Sequence, residues 1–148
     1  MRFQFNELIV DIDVDATKAY YRDVKPINGC NCDDCRNYRA YMKNCDSAML
    51  EFFSSIGIDD LNYIREILCY DDVSSTKSRT GQTLSYGGFF HVKGTLEMTE
   101  ENSIEKSWID INDHFRVGIR SECQMVPKNF PQPVLQVELL AEIPYVLE

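Results

Sequence analysis

The sequence lacks any long apolar run. No window approaches the roughly 20 apolar residues that a membrane-spanning helix needs, and the first residues, MRFQFNELIV, do not contain the apolar core of a signal peptide. These absences predict a cytoplasmic protein that makes no membrane contact. In a reducing compartment, its six cysteines are expected to be thiols or metal ligands.

Basic residues are also scarce. Lysine and arginine number 15 against 24 aspartate and glutamate residues, for a net charge of −9, which argues against direct binding to nucleic acid. The charge is unevenly distributed, since residues 16–45 sum to +3 and the remainder to −12. Such polarity can orient a charged partner. An acidic inhibitor that mimics nucleic acid is one alternative that this charge leaves open.

The apolar pattern predicts an α+β fold. The 148 residues, 44% of them hydrophobic, suit a single domain over residues 1–148. Alternating apolar residues over 8–14 predict an N-terminal strand. Helical patterns follow over 16–23, 33–44 and the stretch after Asp46 or Ser47, in which Leu50 and Phe53 are expected to face inward and Met49 is a further candidate. Period-two runs then dominate, so we expect an antiparallel sheet of about four to six strands. Residues 59–70 fit either a short helix or a strand.

Three cysteines lie close together in GCNCDDCRNY, residues 29–38. Zinc in proteins takes four tetrahedral ligands, and Cys30, Cys32 and Cys35 supply three. Cys45 is excluded as the fourth because a continuous helix would place it about 15 Å from Cys35. A fourth ligand would have to come through the fold, from one of four residues: Cys69, Cys123, His91 or His114.

Two other interpretations of this cluster are open. Cys32 and Cys35 could form a redox dithiol at a helix N-terminus, although Asp33 and Asp34 would raise the pKa of a neighbouring thiol. The interpretation that we favour is that the cysteines pack as small apolar side chains at the start of a helix.

The sequence contains no set of residues that indicates catalysis. There are two histidines: His91 shares a predicted strand face with Lys93 and is expected to be exposed, and His114 follows a probable turn. No G-x-S-x-G nucleophile motif accompanies them. The run DIDVD, residues 11–15, lacks the glycine and glutamate of a calcium loop and is expected on the solvent face of a strand. Gly87 and Gly88 precede a predicted strand, which favours a bulge or tight turn.

Four stretches together resemble a family of small bacterial proteins of unassigned function. They are GCNCDDCRNY (29–38), EFFSSIGID (51–59), YGGFFHVKG (86–94) and VPKNFPQPVLQVELLAEIPYVL (126–147). The resemblance implies one compact domain that contains all four stretches, and it implies no activity, substrate or cofactor.

The sequence therefore predicts a non-enzymatic cytoplasmic protein that binds a protein partner or a second copy of itself. The charge polarity supports this prediction, as do aromatic residues at positions expected to be exposed, namely Phe89 and Tyr20 or Tyr21. The alternative from another class is a protein stabilised by zinc at the cysteine cluster.

Overall fold

The computed structural model describes residues 1–5, 8–25, 32–70, 81–97 and 108–147. These residues form an antiparallel seven-stranded sheet and three helices, which confirms the α+β class with a sheet somewhat larger than expected. The helices are α1 (Val14–Arg22), α2 (Asp33–Met42) and α3 (Ser47–Ser55), and a 3₁₀ turn spans Leu61–Tyr63. The strands are β1 (Arg2–Phe5), β2 (Leu8–Ile12), β3 (Glu66–Cys69), β4 (Thr83–Glu97), β5 (Trp108–Asp110), β6 (Phe115–Arg120) and β7 (Val134–Pro144).

The sheet is organised around the long strand β4. The strand order is β1-β2-β4-β7-β6-β5, and β3 also pairs with β4. One edge of β4 pairs with β7 over residues 83–93. The other edge is shared, because β3 pairs with residues 86–89 and β2 pairs with residues 94–97. Among the described strands, none pairs with residues 90–93 of β4 on this second edge.

Helix α1 fills this gap in the sheet. The hydroxyl of Tyr21 donates to the carbonyl oxygen of His91 at 2.6 Å and accepts from its N–H at 3.1 Å. The hydroxyl of Thr17 accepts the N–H of Lys93 at 3.0 Å, and the N–H of Asp13 donates to the Lys93 carbonyl at 2.8 Å. A buried backbone polar group without a partner is costly. Two side chains of α1 and the backbone of its N-cap residue thus replace the hydrogen bonds that a strand would have made.

The period-two pattern of the strands matches the burial of their side chains. Alternate residues of β4, β6 and β7, such as Phe90, Val117 and Val137, are fully buried on one face of the sheet. The helices lie on this face: Phe53 of α3 contacts Phe90 with ring centroids 4.8 Å apart. The helical pattern over 33–44 predicts that Tyr38, Tyr41, Met42 and Cys45 lie on one side, facing the core. Tyr38, Met42 and Cys45 are buried as expected, whereas Tyr41 is half-buried.

Helix α2 is held against the sheet by a buried amide. The side chain of Asn37 is inaccessible to solvent. Its Nδ2 donates to the carbonyl of Pro144 at 3.2 Å and to the hydroxyl of Tyr86 at 3.4 Å, and its Oδ1 accepts the N–H of Val146 at 2.7 Å. Tyr86 in turn donates to the backbone carbonyl of Asp34 at 2.8 Å. These bonds fix the start of α2 over β4 and the end of β7.

The structure corrects several local predictions. Asp13 does not lie on a strand, because its carboxylate accepts the N–H of Ala16 and caps α1. Leu50 points outward and is 42% exposed, whereas Met49 beside it is fully buried. Asp46 rather than Ser47 caps α3, and its carboxylate accepts the N–H of Met49.

One further segment differs from the sequence-based prediction, and another had been left open. Gly87 and Gly88 lie within β4 rather than in a turn. A Cβ at Gly87 would meet the Tyr70 hydroxyl, and one at Gly88 would meet the Glu66 carbonyl oxygen. The ambiguous segment 59–70 contains both the 3₁₀ turn and β3, since each half is stabilised by a different part of the fold.

Candidate functional site

The predicted metal ligands do not form a site within the described part of the chain. Cys32 is the exposed N-cap residue of α2, and Cys35 lies half-buried in the first turn. Cys30 lies outside the described residues. Across residues 1–5, 8–25, 32–70, 81–97 and 108–147, no three His, Cys, Asp or Glu side chains are placed to hold a metal. The zinc site therefore stays a prediction.

The four predicted fourth ligands lie in different parts of the fold. Cys123 follows β6, and its thiol contacts the carbonyl of Val134 at 3.5 Å, where burial raises the pKa of the thiol. His114 is exposed in the bend before β6. Cys69 stands opposite Tyr86 in the β3–β4 register. Directly opposed residues share a sheet face, so Cys69 is the candidate that lies on the side where α2 packs.

His91 is buried, contrary to the prediction that it would be exposed beside Lys93. It is 1% accessible because the loop between β6 and β7 folds over this part of β4. Its Nε2 lies 2.9 Å from the carbonyl oxygen of Gln124, which can only accept, so this nitrogen carries the proton. Gln124 also donates its N–H to the side chain of Gln136 at 2.7 Å. Burial lowers the pKa of His91, and the ring is therefore neutral at neutral pH.

A cavity of about 140 Å³ lies between α1, the 3₁₀ turn and the β6–β7 loop, beside the gap in the sheet. We call it the α1–β4 cavity. It is lined by Tyr20, Tyr21, Val24, Lys25, Tyr63, Ile64, Arg65, His91, Pro127 and Phe130. Half of these side chains are aromatic rings, and none carries a negative charge.

The aromatic walls of the cavity pack against one another. Tyr20 and Phe130 have ring centroids 4.4 Å apart, and Tyr21 stacks on Tyr63 at 5.1 Å. His91 meets the edge of Phe130 at 5.9 Å. Tilted and offset ring pairs of this kind are mutually attractive. The walls are therefore held in place by contacts among themselves as well as by the sheet.

The hydroxyl groups of the three tyrosines of the cavity differ in their hydrogen bonding. The Tyr21 hydroxyl is committed to the backbone of His91, and burial raises the pKa of Tyr21 far above its ordinary value. Tyr20 and Tyr63 are half-buried, and neither hydroxyl is bonded to another residue in the described ranges. Two phenol groups at the wall can thus donate to a bound molecule.

Two cations stand at the rim of the α1–β4 cavity. Lys25 and Arg65 are both exposed. Arg65 is oriented by its Nε, which donates to the carbonyl of Met125 at 2.9 Å. Met125 is the one non-glycine residue with positive φ in the described chain, at 55°, a conformation that costs a non-glycine residue free energy. Its carbonyl is thereby directed at Arg65.

Some bases of the described chain are paired with a carboxylate, whereas the two rim cations are not. Arg2, Arg36, Lys93 and Arg116 each lie within 2.7–3.5 Å of a carboxylate. No ion pair within the described ranges involves Lys25 or Arg65. The cavity is consequently a locally positive site on a protein with a net charge of −9.

A larger cleft of about 640 Å³ is lined by residues of β4, β6 and β7 and of the segment that joins β5 to β6. Its charged lining includes Asp110, Asp113 and Glu142 together with Arg116. The single cation already donates to Asp110 at 2.7 Å. This cleft therefore has excess negative charge and no arrangement of donors that would indicate a ligand.

The sequence drew attention to some residues that line the α1–β4 cavity, but it did not predict that they come together. Phe89 and either Tyr20 or Tyr21 were expected to be exposed aromatic residues, and Lys25 belongs to the positive segment 16–45. Tyr21 is instead buried at 6% exposure, and Tyr20 and Phe89 are half-buried. Arg65 and Phe130 gave no signal, because they reach the cavity only through the pairing of β3 and the fold of the β6–β7 loop.

None of the described helices is long and apolar enough to cross a membrane. Comparison with models of protein families, with curated proteins and with solved structures found no match to this chain.

Proposed function

We propose that this is a cytoplasmic, non-catalytic binding protein that takes one group of a protein partner into the α1–β4 cavity. The observation that carries the proposal is an aromatic cavity with two rim cations, Lys25 and Arg65, that form no ion pair within the described chain. Interface energy is concentrated where a single side chain fills such a pocket.

The size of the cavity supports a single ring or side chain as its occupant. At about 140 Å³ it is close to the roughly 150 Å³ that holds one benzene molecule in an engineered protein core. Pockets for whole cofactors and drug-sized ligands measure about 300–1,000 Å³. An anchor residue of a larger partner fits this volume, whereas a nucleotide cofactor does not.

The chemistry of the lining supports binding rather than catalysis. The ring of His91 is neutral and donates to a backbone carbonyl, so it is not placed to exchange protons with a substrate. The Tyr21 hydroxyl is bonded on both sides to the backbone of β4. Among the ten lining residues, the remaining polar groups are the Tyr20 and Tyr63 hydroxyls and the two cations.

The proposal is tested by titrating a small ring compound, N-acetyl-phenylalanine amide, into isotopically labelled protein. Proton–nitrogen correlation spectra should show saturable shifts at the amides of Lys25, Tyr63 and Arg65. The variant Val24→Phe, which adds volume to the lining, should abolish these shifts. Leu50→Phe places the same side chain at an exposed position on α3, outside the cavity, and should preserve them.

Two results would contradict the proposal. One is the absence of saturable shifts around the cavity in the folded wild-type protein. The other is an equal response in the Val24→Phe variant, which would place the ring elsewhere on the surface. The dispersion of each spectrum reports whether the variant is folded, so that a loss of structure is not mistaken for a blocked cavity.

A further inference from the structure

We propose that the group bound in the α1–β4 cavity is an aromatic side chain that lies next to a carboxylate, presented by a peptide segment of the partner. The ring would lie among Tyr20, Tyr63 and Phe130, and the carboxylate would lie at Arg65 and Lys25. This inference rests on the proposed function and adds the chemical class of the ligand. The carboxylate can be the C-terminus of the partner or the side chain of a neighbouring aspartate or glutamate.

The sign of the ligand follows from the charges around the cavity. Two cations and no carboxylates occur among the ten lining residues, although 24 of the 148 residues are acidic. Aromatic walls exclude water and reduce the local dielectric constant, which strengthens an interaction between opposite charges. Aromatic cages for quaternary ammonium groups rely on the negative faces of their rings, and two positive charges at the rim oppose such a ligand.

The geometry of Arg65 suits a carboxylate. Its Nε–H is bonded to the Met125 carbonyl, which fixes the plane of the guanidinium. The four N–H groups on the two Nη atoms are bonded to no other residue in the described ranges. A planar guanidinium presents two parallel donors to the two oxygens of a carboxylate. Lys25, at the end of the segment that leaves α1, supplies a second and less directional charge.

The aromatic part of the ligand follows from the walls. Tyr20 and Phe130 approach each other at 4.4 Å with their planes tilted by 56°. Tyr63 stacks on Tyr21 with an interplanar angle of 27°. A flat ring can make offset or edge contacts with such surfaces, and ring pairs gain stability beyond the burial of their area. A bare phosphate or acetate ion would leave these apolar surfaces unused.

The experiment compares N-acetyl-phenylalanine, which has a free carboxylate, with its amide, by the same spectra at about 50 mM salt, where screening is moderate. We expect the carboxylate to bind about tenfold more tightly than the amide, as for one charge-assisted contact. In the double variant Lys25→Gln, Arg65→Gln the two affinities should agree within about twofold. Arg36→Gln, an exposed base on α2 that is paired with Asp33, is the matched control and should keep the preference.

Peptide arms distinguish the two sources of the carboxylate. One peptide ends in phenylalanine with a free C-terminus, the second is the same peptide amidated, and the third is amidated with a glutamate before the phenylalanine. Tighter binding of the first alone identifies a C-terminal residue, and tighter binding of the first and third identifies any adjacent carboxylate. Either result supports the inference.

Other outcomes separate this inference from the proposed function. Equal binding of acid and amide, or tighter binding of benzyltrimethylammonium, would overturn the anionic ligand while the cavity remained a binding site. Binding of neither ring compound would overturn both. A preference for the acid that persists in the Lys25→Gln, Arg65→Gln variant would show that other charges select the ligand, and would also overturn the inference.

Discussion

Replacing Tyr21 with phenylalanine tests whether α1 completes the sheet. The substitution removes a single oxygen, which now accepts from the N–H of His91 at 3.1 Å and donates to its carbonyl at 2.6 Å. The residue is 6% exposed, so water is not expected to replace the lost hydroxyl. Both backbone groups of His91 would then be buried without partners.

The expected cost follows from these two groups. A buried polar group left without a partner costs about 1–3 kcal/mol. Because both groups are affected, we expect Tyr21→Phe to lower the free energy of unfolding by about 2–6 kcal/mol. This is a large share of the roughly 5–15 kcal/mol that stabilises a typical domain. With a urea dependence of about 2 kcal/mol per molar, the midpoint should fall by about 1–3 M.

Urea unfolding followed by circular dichroism measures this change, and Tyr20→Phe is its control. The Tyr20 hydroxyl is half-buried and bonded to no other residue in the described ranges, so its removal should change stability by no more than about 0.5 kcal/mol. Hydrogen exchange at the His91 amide should accelerate in Tyr21→Phe alone. If both variants lose the same small stability, the gap in β4 is not closed by α1 and the reasoning is refuted.

Three other predictions address pH, packing and metal content. Burial lowers the pKa of His91, so below about pH 6.5 the unfolded chain binds a proton that the folded protein does not. The free energy of unfolding should be highest above that pH, and it should fall by up to about 1.4 kcal/mol per pH unit as the pH decreases towards the pKa of His91 in the folded protein. Urea unfolding at several pH values should show that the His91→Gln variant lacks this dependence. Gly88→Ala directs a Cβ at a backbone carbonyl oxygen, whereas Gly87→Ala directs one at the side chain of the exposed Tyr70, which can move. The Gly88 variant should therefore lose at least about 1 kcal/mol more of the free energy of unfolding than the Gly87 variant. Equal losses would contradict this prediction. Elemental analysis of protein purified without chelator should find no stoichiometric zinc, and zinc that is lost on replacing the cysteines at 32 and 35 by serine would establish the alternative metal site.

The sequence predicted those parts of the fold that depend on local periodicity. The alternation in β6 and β7 and the inward stripe of α2 were predicted because each side chain repeats the orientation of one two or four positions away. Residues 59–70 stayed ambiguous because β3 is short, with four residues, and exists through its pairing with β4. Leu50 was wrongly predicted to face inward beside the candidate Met49, because a short apolar helix fits the core with either residue facing it.

The cavity could be predicted only in part, for a related reason. His91 lies on the same strand face as Lys93, which is a sound reason to expect exposure until the β6–β7 loop covers it. That cover depends on Gln124 and Gln136, which are twelve residues apart in sequence and meet through a hydrogen bond. Arg65 reaches the rim because its own backbone N–H donates to the carbonyl of Phe89 at 2.8 Å. Such contacts have no periodic signature in the sequence.

The gap in the second edge of β4 also bears on aggregation. An unpaired strand edge is a template on which a foreign strand can add. Over residues 90–93 the outward backbone groups of His91 and Lys93 are already bonded to Tyr21, Thr17 and Asp13, so an incoming strand finds no free donor or acceptor there. Substitutions that detach α1 should therefore promote self-assembly and also remove one wall of the α1–β4 cavity. The helix thus prevents strand addition between copies of this chain.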